Sequence, residues 1–169
     1  VTTVCHPEKD YLASTLHTIL FKNRKALITF RFSYPSGGHS DDGNDWTKPE
    51  RHTTTIAQTG TNFAVLKRNL DDYTYYVRIE WNGNAVFKKN GEHYFTLSPN
   101  DSTFSFNCLY SPTLPEATGM NTTKTEKAAA KSWKNFWEDG AIVDFGGCTD
   151  IRAKEMERRV VLSEYLTAI

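Results

Sequence analysis

The run from Tyr73 to Trp81 places the strongest restriction on the fold. Aromatic and β-branched residues occupy every second position, and the positions between them carry Thr74, Tyr76, Arg78 and Glu80. Successive side chains of a strand point to opposite faces of a sheet, so one face of this strand contacts a core and the other contacts water. The alternation therefore predicts a strand of an antiparallel sheet.

Further strands are predicted wherever β-branched and aromatic residues cluster. The predicted segments are 26–32, 53–56, 63–66 and 103–110, and a weaker pattern favours strands over a helix in residues 1–25. Asn82-Gly83 and Asn90-Gly91 are typical of hairpin turns, because both positions of each pair tolerate positive φ. Short strands joined by tight turns predict a mainly β fold, an antiparallel β-sandwich.

One long segment, residues 34–49, is rich in Gly, Asp, Ser and Pro and predicts a loop. Loops of this length in compact domains are often functional. Its acidic residues lack the spacing of a calcium-binding loop, so we attribute them to solubility. Trp46, beside Asp45 and near His52, is a candidate for stacking on a sugar ring. The alternative is that Trp46 anchors the loop to the sheet.

The pattern becomes helical after residue 122. Residues 123–137 are rich in Ala, Lys and Glu and predict a helix with Trp133 and Trp137 on one face. Residues 141–145 predict a short extended stretch. A last amphipathic helix is predicted from Asp150, which with Thr149 is a candidate cap; its apolar stripe comprises Val161, Leu162, Tyr165, Leu166 and Ile169.

Such a stripe requires partner helices for its burial. We therefore expect the chain to be a piece of a longer protein, or to dock onto another one. Arg158 and Arg159 follow Glu155 and Glu157 closely. They form either an ion network on the helix surface or buried contacts that dock the linker against a following domain.

The run WKNFWEDGAIVDFGG, followed by TDIRAKEMERRVVLSEYLTAI, resembles the sandwich-to-barrel junction of secreted six-hairpin glycoside hydrolases of the L-rhamnosidase and trehalase type. The motifs HPEKD and EHYFTLSP support this resemblance more weakly. It implies a β-supersandwich in residues 1–112, a linker with a helix in residues 113–148, and the first helix of a truncated (α/α)6 catalytic domain in residues 149–169.

The function that the resemblance implies is that of an N-terminal, non-catalytic portion of a hydrolase that cleaves glycosidic bonds without a cofactor. The catalytic acid and base are then expected beyond Ile169, so this chain alone is predicted to be inactive. Its partners are the remaining barrel and, through the complete enzyme, a carbohydrate. The residues assigned to packing between domains are Trp133, Trp137, Arg158, Arg159, Leu162, Tyr165 and Leu166.

The residues themselves leave a different class of function open, a self-standing carbohydrate-binding or adhesive β-sandwich without enzymatic activity. Glycoside hydrolysis needs two carboxyl groups across a gap of the size of a sugar ring. The spacing of Glu138, Asp139, Asp144 and Asp150 does not mark such a pair. The histidines show no metal-ligand spacing, so no metal site is predicted.

Charge and sequons bear on partners and location. The formal net charge is +0, which provides no electrostatic argument for nucleic acid or an anionic membrane, and no apolar run is long enough to span a bilayer. Asn100 and Asn121 begin glycosylation sequons, which are used in the secretory route, so an extracellular glycoprotein is predicted. Among the three cysteines, Cys108 is predicted to be buried in a strand, and Cys148 is a better candidate than Cys5 for a partner.

Overall fold

The computed structural model describes residues 1–140 and 142–169. Its contacts divide the chain into two units, Val1–Ala129 and Ala130–Ile169. The strands are β1 (Thr2–Cys5), β2 (Tyr11–His17), β3 (Ile28–Arg31), β4 (Tyr34–Pro35), β5 (Asn44–Asp45), β6 (His52–Thr59), β7 (Phe63–Leu70), β8 (Tyr73–Trp81), β9 (Ala85–Gly91), β10 (Tyr94–Pro99) and β11 (Thr103–Ser111). The helices are α1 (Ile19–Lys22), α2 (Thr122–Asp139) and α3 (Ala153–Ala168).

The strands form a large and a small antiparallel sheet. The large sheet has the order β1-β2-β11-β8-β7-β6, the small sheet has the order β3-β10-β9, and β4 pairs with β5 in a separate ribbon. The predicted fold class is therefore confirmed: the chain is mainly β, with an antiparallel β-sandwich followed by two helices.

The core lies between the two sheets. β8 supplies Val77, Ile79 and Trp81 to it, which is the alternation that its sequence predicts. Aromatic rings join the sheets across the core: Trp81 stacks on Phe87 at 5.9 Å between centroids, and Phe30 meets Phe106 edge-on at 5.7 Å. Since burial of apolar area drives folding, these contacts hold the two sheets face to face.

The predicted hairpin at Asn82-Gly83 is wrong. β8 belongs to the large sheet and β9 to the small one, so the segment between them crosses from one sheet to the other. Gly83 does have a positive φ of 72°, as the dipeptide predicts. However, β7 and β11 occupy both edges of β8, and Asn82 Oδ1 accepts a hydrogen bond from Ser105 N at 2.8 Å, which ties the crossing to β11.

The hairpin predicted at Asn90-Gly91 is present, because β9 and β10 pair as neighbours. Its turn falls after Asn90-Gly91, at Glu92 and His93, and the register shifts between Tyr94 and Phe95. His93 therefore lies in the turn between β9 and β10.

Three other predicted segments differ in detail. Residues 34–49 are not a continuous loop, because they contain the short paired strands β4 and β5. Residues 1–25 form two strands, as predicted, but α1 follows them, capped by the Thr18 hydroxyl. Residues 142–145 form no strand, and Ala141, the first residue of that predicted stretch, lies outside the described residues.

α3 begins at Ala153, later than its predicted caps. Asp150 does not cap it in the usual way, since its carboxylate accepts hydrogen bonds from the backbone N–H and the guanidinium of Arg152. This ion pair holds the pKa of Asp150 below its ordinary value. The helix therefore begins without a side-chain cap at Arg152.

The outer face of the large sheet is partly covered by the segment between β11 and the first turn of α2. Arg78 Nη1 donates to Pro115 O at 3.4 Å, and Thr15 Oγ1 donates to Thr122 Oγ1 at 3.1 Å. Thr125 is fully buried in this layer. Polar residues on the outer face of β8 are thereby partly removed from water.

Replacement of Phe95 by Ala tests the sandwich. Phe95 is fully buried and its ring packs 5.8 Å from Phe87 and 6.4 Å from Phe32. We expect the substitution to lower the free energy of unfolding by about 3–5 kcal/mol in urea denaturation, because a cavity remains. Val86→Ala is the control, since Val86 is 60% exposed in β9; its expected effect is within about 0.5 kcal/mol. Equal effects would contradict the assigned core.

Candidate functional site

Trp46, the predicted sugar-stacking residue, lies beside a groove of about 260 Å³. It follows β5 directly, and its side chain is 53% exposed. The Arg31 guanidinium lies 5.0 Å from the centre of the indole ring. Asp45, His52, Glu92, His93 and Tyr94 are among the residues that line the groove. The structure therefore brings together Trp46, Asp45 and His52, the three residues that the sequence grouped.

The carboxylate of Asp45 is engaged within its own turn. It accepts hydrogen bonds from Thr47 N at 2.9 Å and Thr47 Oγ1 at 2.6 Å, and it pairs with Lys48 Nζ at 2.8 Å. These contacts, Lys48 foremost, hold the pKa of Asp45 well below its usual range. Asp45 consequently remains ionised and fixes the turn that presents Trp46.

A buried cation lies behind the groove. Arg68 is 2% exposed, and its guanidinium donates only to neutral groups among the described residues. Its acceptors are Tyr75 Oη at 3.2 Å, His52 Nδ1 at 2.6 Å, Thr54 Oγ1 at 2.8 Å and the Ser33 carbonyl at 3.1 Å. Four of the five guanidinium N–H groups thus have an acceptor, and such hydrogen bonding is what makes a buried charge tolerable.

The Arg68 contacts determine the tautomer of His52, whose ring stacks on that of His93 at 3.7 Å. A guanidinium only donates, so His52 Nδ1 accepts and its proton is on Nε2. His93 Nε2 donates to the Pro49 carbonyl at 2.9 Å, and His93 Nδ1 lies 2.8 Å from Thr54 Oγ1. The His52 ring is therefore neutral in this arrangement.

Burial, with the nearby Arg68 charge and then His93, lowers the pKa of His52 to about 4. A protonated His52 would present a second cation to the buried guanidinium. The ring therefore acts as a hydrogen-bond acceptor at neutral pH, not as an acid.

The same network anchors both ends of the loop that carries Trp46. Ser33 precedes that loop and Pro49 follows Trp46, and the carbonyl of each accepts a hydrogen bond from the network. Arg68 was not singled out from the sequence. The available signal was its register, because Ala64 and Leu66 precede it on the inward face of β7.

The predicted packing residues of the second unit form an aromatic cluster and an ion network. Trp133 lies 5.3 Å from Tyr165 and 6.2 Å from Trp137 between ring centroids. Arg158 and Arg159 both donate to the carboxylate of Glu155, and both are exposed. These hydrogen bonds, Arg158 first, lower the pKa of Glu155 to about 2. Leu162 and Leu166 are exposed.

The two sequon asparagines and the three cysteines differ in their exposure. Asn100 and Asn121 are exposed, and Asn121 Oδ1 accepts from Lys124 N at 2.9 Å at the start of α2. Cys108 is buried, as predicted, and burial raises the pKa of its thiol to about 12. Cys5 and Cys148 are exposed, and all three thiols are free in the described chain.

Three of the four carboxyl groups considered for catalysis have local partners. Glu138 pairs with Lys134 at 3.7 Å, Asp150 pairs with Arg152, and Asp144 accepts from Gly146 N at 2.7 Å. Within residues 1–140 and 142–169 there is no group of three or more His, Cys, Asp or Glu that could hold a metal ion. No helix in the described residues has the length and apolar character that a membrane crossing requires.

No family model, no curated protein and no solved structure matches the chain. The class is therefore defined by architecture: an antiparallel β-sandwich that presents an exposed tryptophan beside a polar groove, followed by two helices.

The His52 environment predicts a specific pH dependence. The unfolded chain binds a proton at His52 near its ordinary pKa of 6.5, and the folded chain does so only near 4. Because the unfolded state then holds more protons, the free energy of unfolding should fall by up to about 3 kcal/mol as the pH drops through that window.

Urea denaturation at pH 7.5 and 4.5, on wild type and His52→Asn, measures this contribution, with both pH values chosen at roughly the edges of the window. Asn retains an acceptor for Arg68 but does not titrate. We expect a smaller loss of stability in the variant, and equal losses would show that His52 is not protected from protonation.

Proposed function

We propose that this chain is the N-terminal, non-catalytic portion of a secreted carbohydrate-active hydrolase that cleaves glycosidic bonds. In this proposal α3 is the first helix of the catalytic barrel, and the acid and base belong to that barrel. The sandwich contributes the Trp46 loop, which contacts the carbohydrate.

The observation that carries the proposal is the apolar surface of α3. None of its residues is buried in the described chain. Met156 is 56%, Leu162 43% and Leu166 59% exposed. An amphipathic helix gains most of its stability from packing, so the following barrel helices would supply the missing contacts.

Two further features of the second unit agree with this role. Glu164 Oε2 is buried without a hydrogen-bond donor among the described residues, and such an atom favours a partner from another element. Trp133 and Trp137 of α2 form an aromatic cluster with Tyr165 of α3, and this cluster adds to the apolar surface of the second unit. The enzyme class in this proposal comes from the resemblance of this region to the sandwich-to-barrel junction of six-hairpin glycoside hydrolases.

The Trp46 groove supports the carbohydrate part of the proposal. An exposed indole supplies an apolar face, and the groove adds charged and hydrogen-bonding side chains such as Arg31 and Glu92. This combination of an aromatic surface with fixed polar groups suits a polyhydroxylated ligand. The same groove favours the second candidate, a self-standing carbohydrate-binding sandwich.

The size of the native protein separates these two candidates. The first predicts a native polypeptide much larger than the 19.2 kDa of this chain. Intact-mass measurement after enzymatic deglycosylation tests this, together with glycosidase assays of the native protein and of this chain. We expect glycosidase turnover by the native protein and none by this chain. A native mass of one such chain, or turnover by this chain, would refute the enzyme-portion proposal.

Replacement of Trp46 by Ala tests the groove. We expect it to weaken binding in a glycan-array screen and subsequent calorimetry by about tenfold or more, the equivalent of roughly 1.4 kcal/mol. Tyr73→Ala is the matched control, because Tyr73 is also an exposed aromatic residue, at 79%. Equal losses in both variants, or none in Trp46→Ala, would remove the groove from the proposal.

A further inference from the structure

A second cavity, of about 500 Å³, lies against the outer face of the large sheet. Its lining comes from β2, β7, β8, β11 and the segment that enters α2, and it shares no residue with the Trp46 groove. The strand register aligns three of its side chains in one row: Phe63 lies opposite Glu80, and Glu80 lies opposite Asn107. An aromatic ring, a carboxylate and an amide thus follow one another across three neighbouring strands.

The charges in this cavity cancel. Arg78 is 6% exposed, its Nε donates to Glu80 Oε1, and its guanidinium lies 4.3 Å from the centre of the Phe63 ring. Glu80 has a second carboxylate oxygen for which the described residues offer no donor. A cation would meet Arg78 and an anion would meet Glu80, so the pair favours a neutral ligand.

Two more polar groups in the cavity wall have unused hydrogen-bonding capacity. Asn107 lines the cavity, and its Oδ1 is buried without a donor within the described part of the chain, so its Nδ2 is the amide atom that can meet a ligand. Thr15 Oγ1 donates to Thr122 Oγ1, so Ser105 must donate in its 2.7 Å contact with Thr15. This orientation leaves the Thr122 proton for another acceptor.

We propose that this outer-face cavity binds a pyranose ring. The second oxygen of Glu80 accepts a hydrogen bond from one of its hydroxyl groups, and Asn107 Nδ2 and the Thr122 hydroxyl donate to its oxygens. An apolar ligand would leave all three of these groups without a partner, which is unfavourable for polar groups that are removed from water. A sugar provides donors and acceptors without net charge, and its C–H groups suit the Phe63 wall.

The sugar could come from two sources with the same chemistry. One is a free saccharide. The other is the chain's own glycan, because the sequon residue Asn121 lines the cavity. Its Oδ1 caps α2 at Lys124 N, so its Nδ2 is available for the glycosidic bond. Neither source requires a catalytic barrel, so the inference is independent of the proposed enzyme.

The first arm of the test uses unglycosylated protein from bacteria. D-glucose, D-mannose, D-galactose and N-acetyl-D-glucosamine are titrated while NMR follows the backbone amides of residues 105–107, which wild type and variants share. We expect at least one to bind there, and Asn107→Leu and Thr122→Val each to weaken it by about tenfold. Asn107→Leu should keep its thermal stability, since it removes a buried acceptor without a partner. Trp46→Ala should leave the Kd unchanged.

The second arm uses protein secreted from eukaryotic cells, before and after enzymatic removal of its glycans. If the Asn121 glycan fills the cavity, its removal should lower the Tm, and Asn107→Leu should abolish that difference. An effect at Asn107 in either arm supports the site. The cavity proposal is overturned if neither arm shows an effect that depends on Asn107, or if binding is lost only in Trp46→Ala. Either result leaves the proposal of an enzyme portion unaffected.

Discussion

The buried guanidinium of Arg68 is the interaction on which the geometry of the Trp46 groove depends. It joins β7 to β6 through His52 and Thr54, and it joins the sandwich to the loop through the Ser33 carbonyl. Because no carboxylate neutralises it among the described residues, it relies on four hydrogen bonds to neutral acceptors in fixed positions. A cation held in this way cannot tolerate displacement of the loop end that contacts it.

The neutral tautomer of His52 follows from this one charge, because a guanidinium can only donate to its Nδ1. Arg68 also donates to the Thr54 hydroxyl, Thr54 Oγ1 contacts His93 Nδ1, and His93 Nε2 donates to the Pro49 carbonyl. A continuous set of hydrogen bonds therefore runs from the buried guanidinium to the end of the loop. Both ends of the loop are held by this network, whereas the Trp46 side chain is 53% exposed.

The sequence could predict the sandwich because its signals are local. The period-two pattern of Tyr73–Trp81 and the burial of Cys108 require only the neighbouring residues of one strand. Strand partners are not local. Asn82-Gly83 has the dihedral preference of a hairpin, yet its flanking strands lie in different sheets, because competition among distant strands decides which edges are free.

The sites show the same division between local and distant information. Trp46 with Asp45 was recognisable because an aromatic residue stood in a polar loop. Arg68 and Asn107 were not, because their significance lies in partners that they have or lack across strands far apart in the sequence. The alternation along β7 indicates the inward face for Arg68, but no local pattern indicates that Asn107 lies opposite Glu80 on a neighbouring strand.

The two units use their apolar residues differently. The sandwich has fully buried residues such as Phe95 and Leu66, whereas none of the described residues of the second unit is buried. α3 has 16 residues, near the length at which an isolated helix is marginal. The aromatic contacts of Trp133 contribute only about 0.5–1.5 kcal/mol each. The second unit therefore has more to gain from further packing than the sandwich, and a helical domain after it, as proposed, would be stabilised by the apolar surface that α3 already presents.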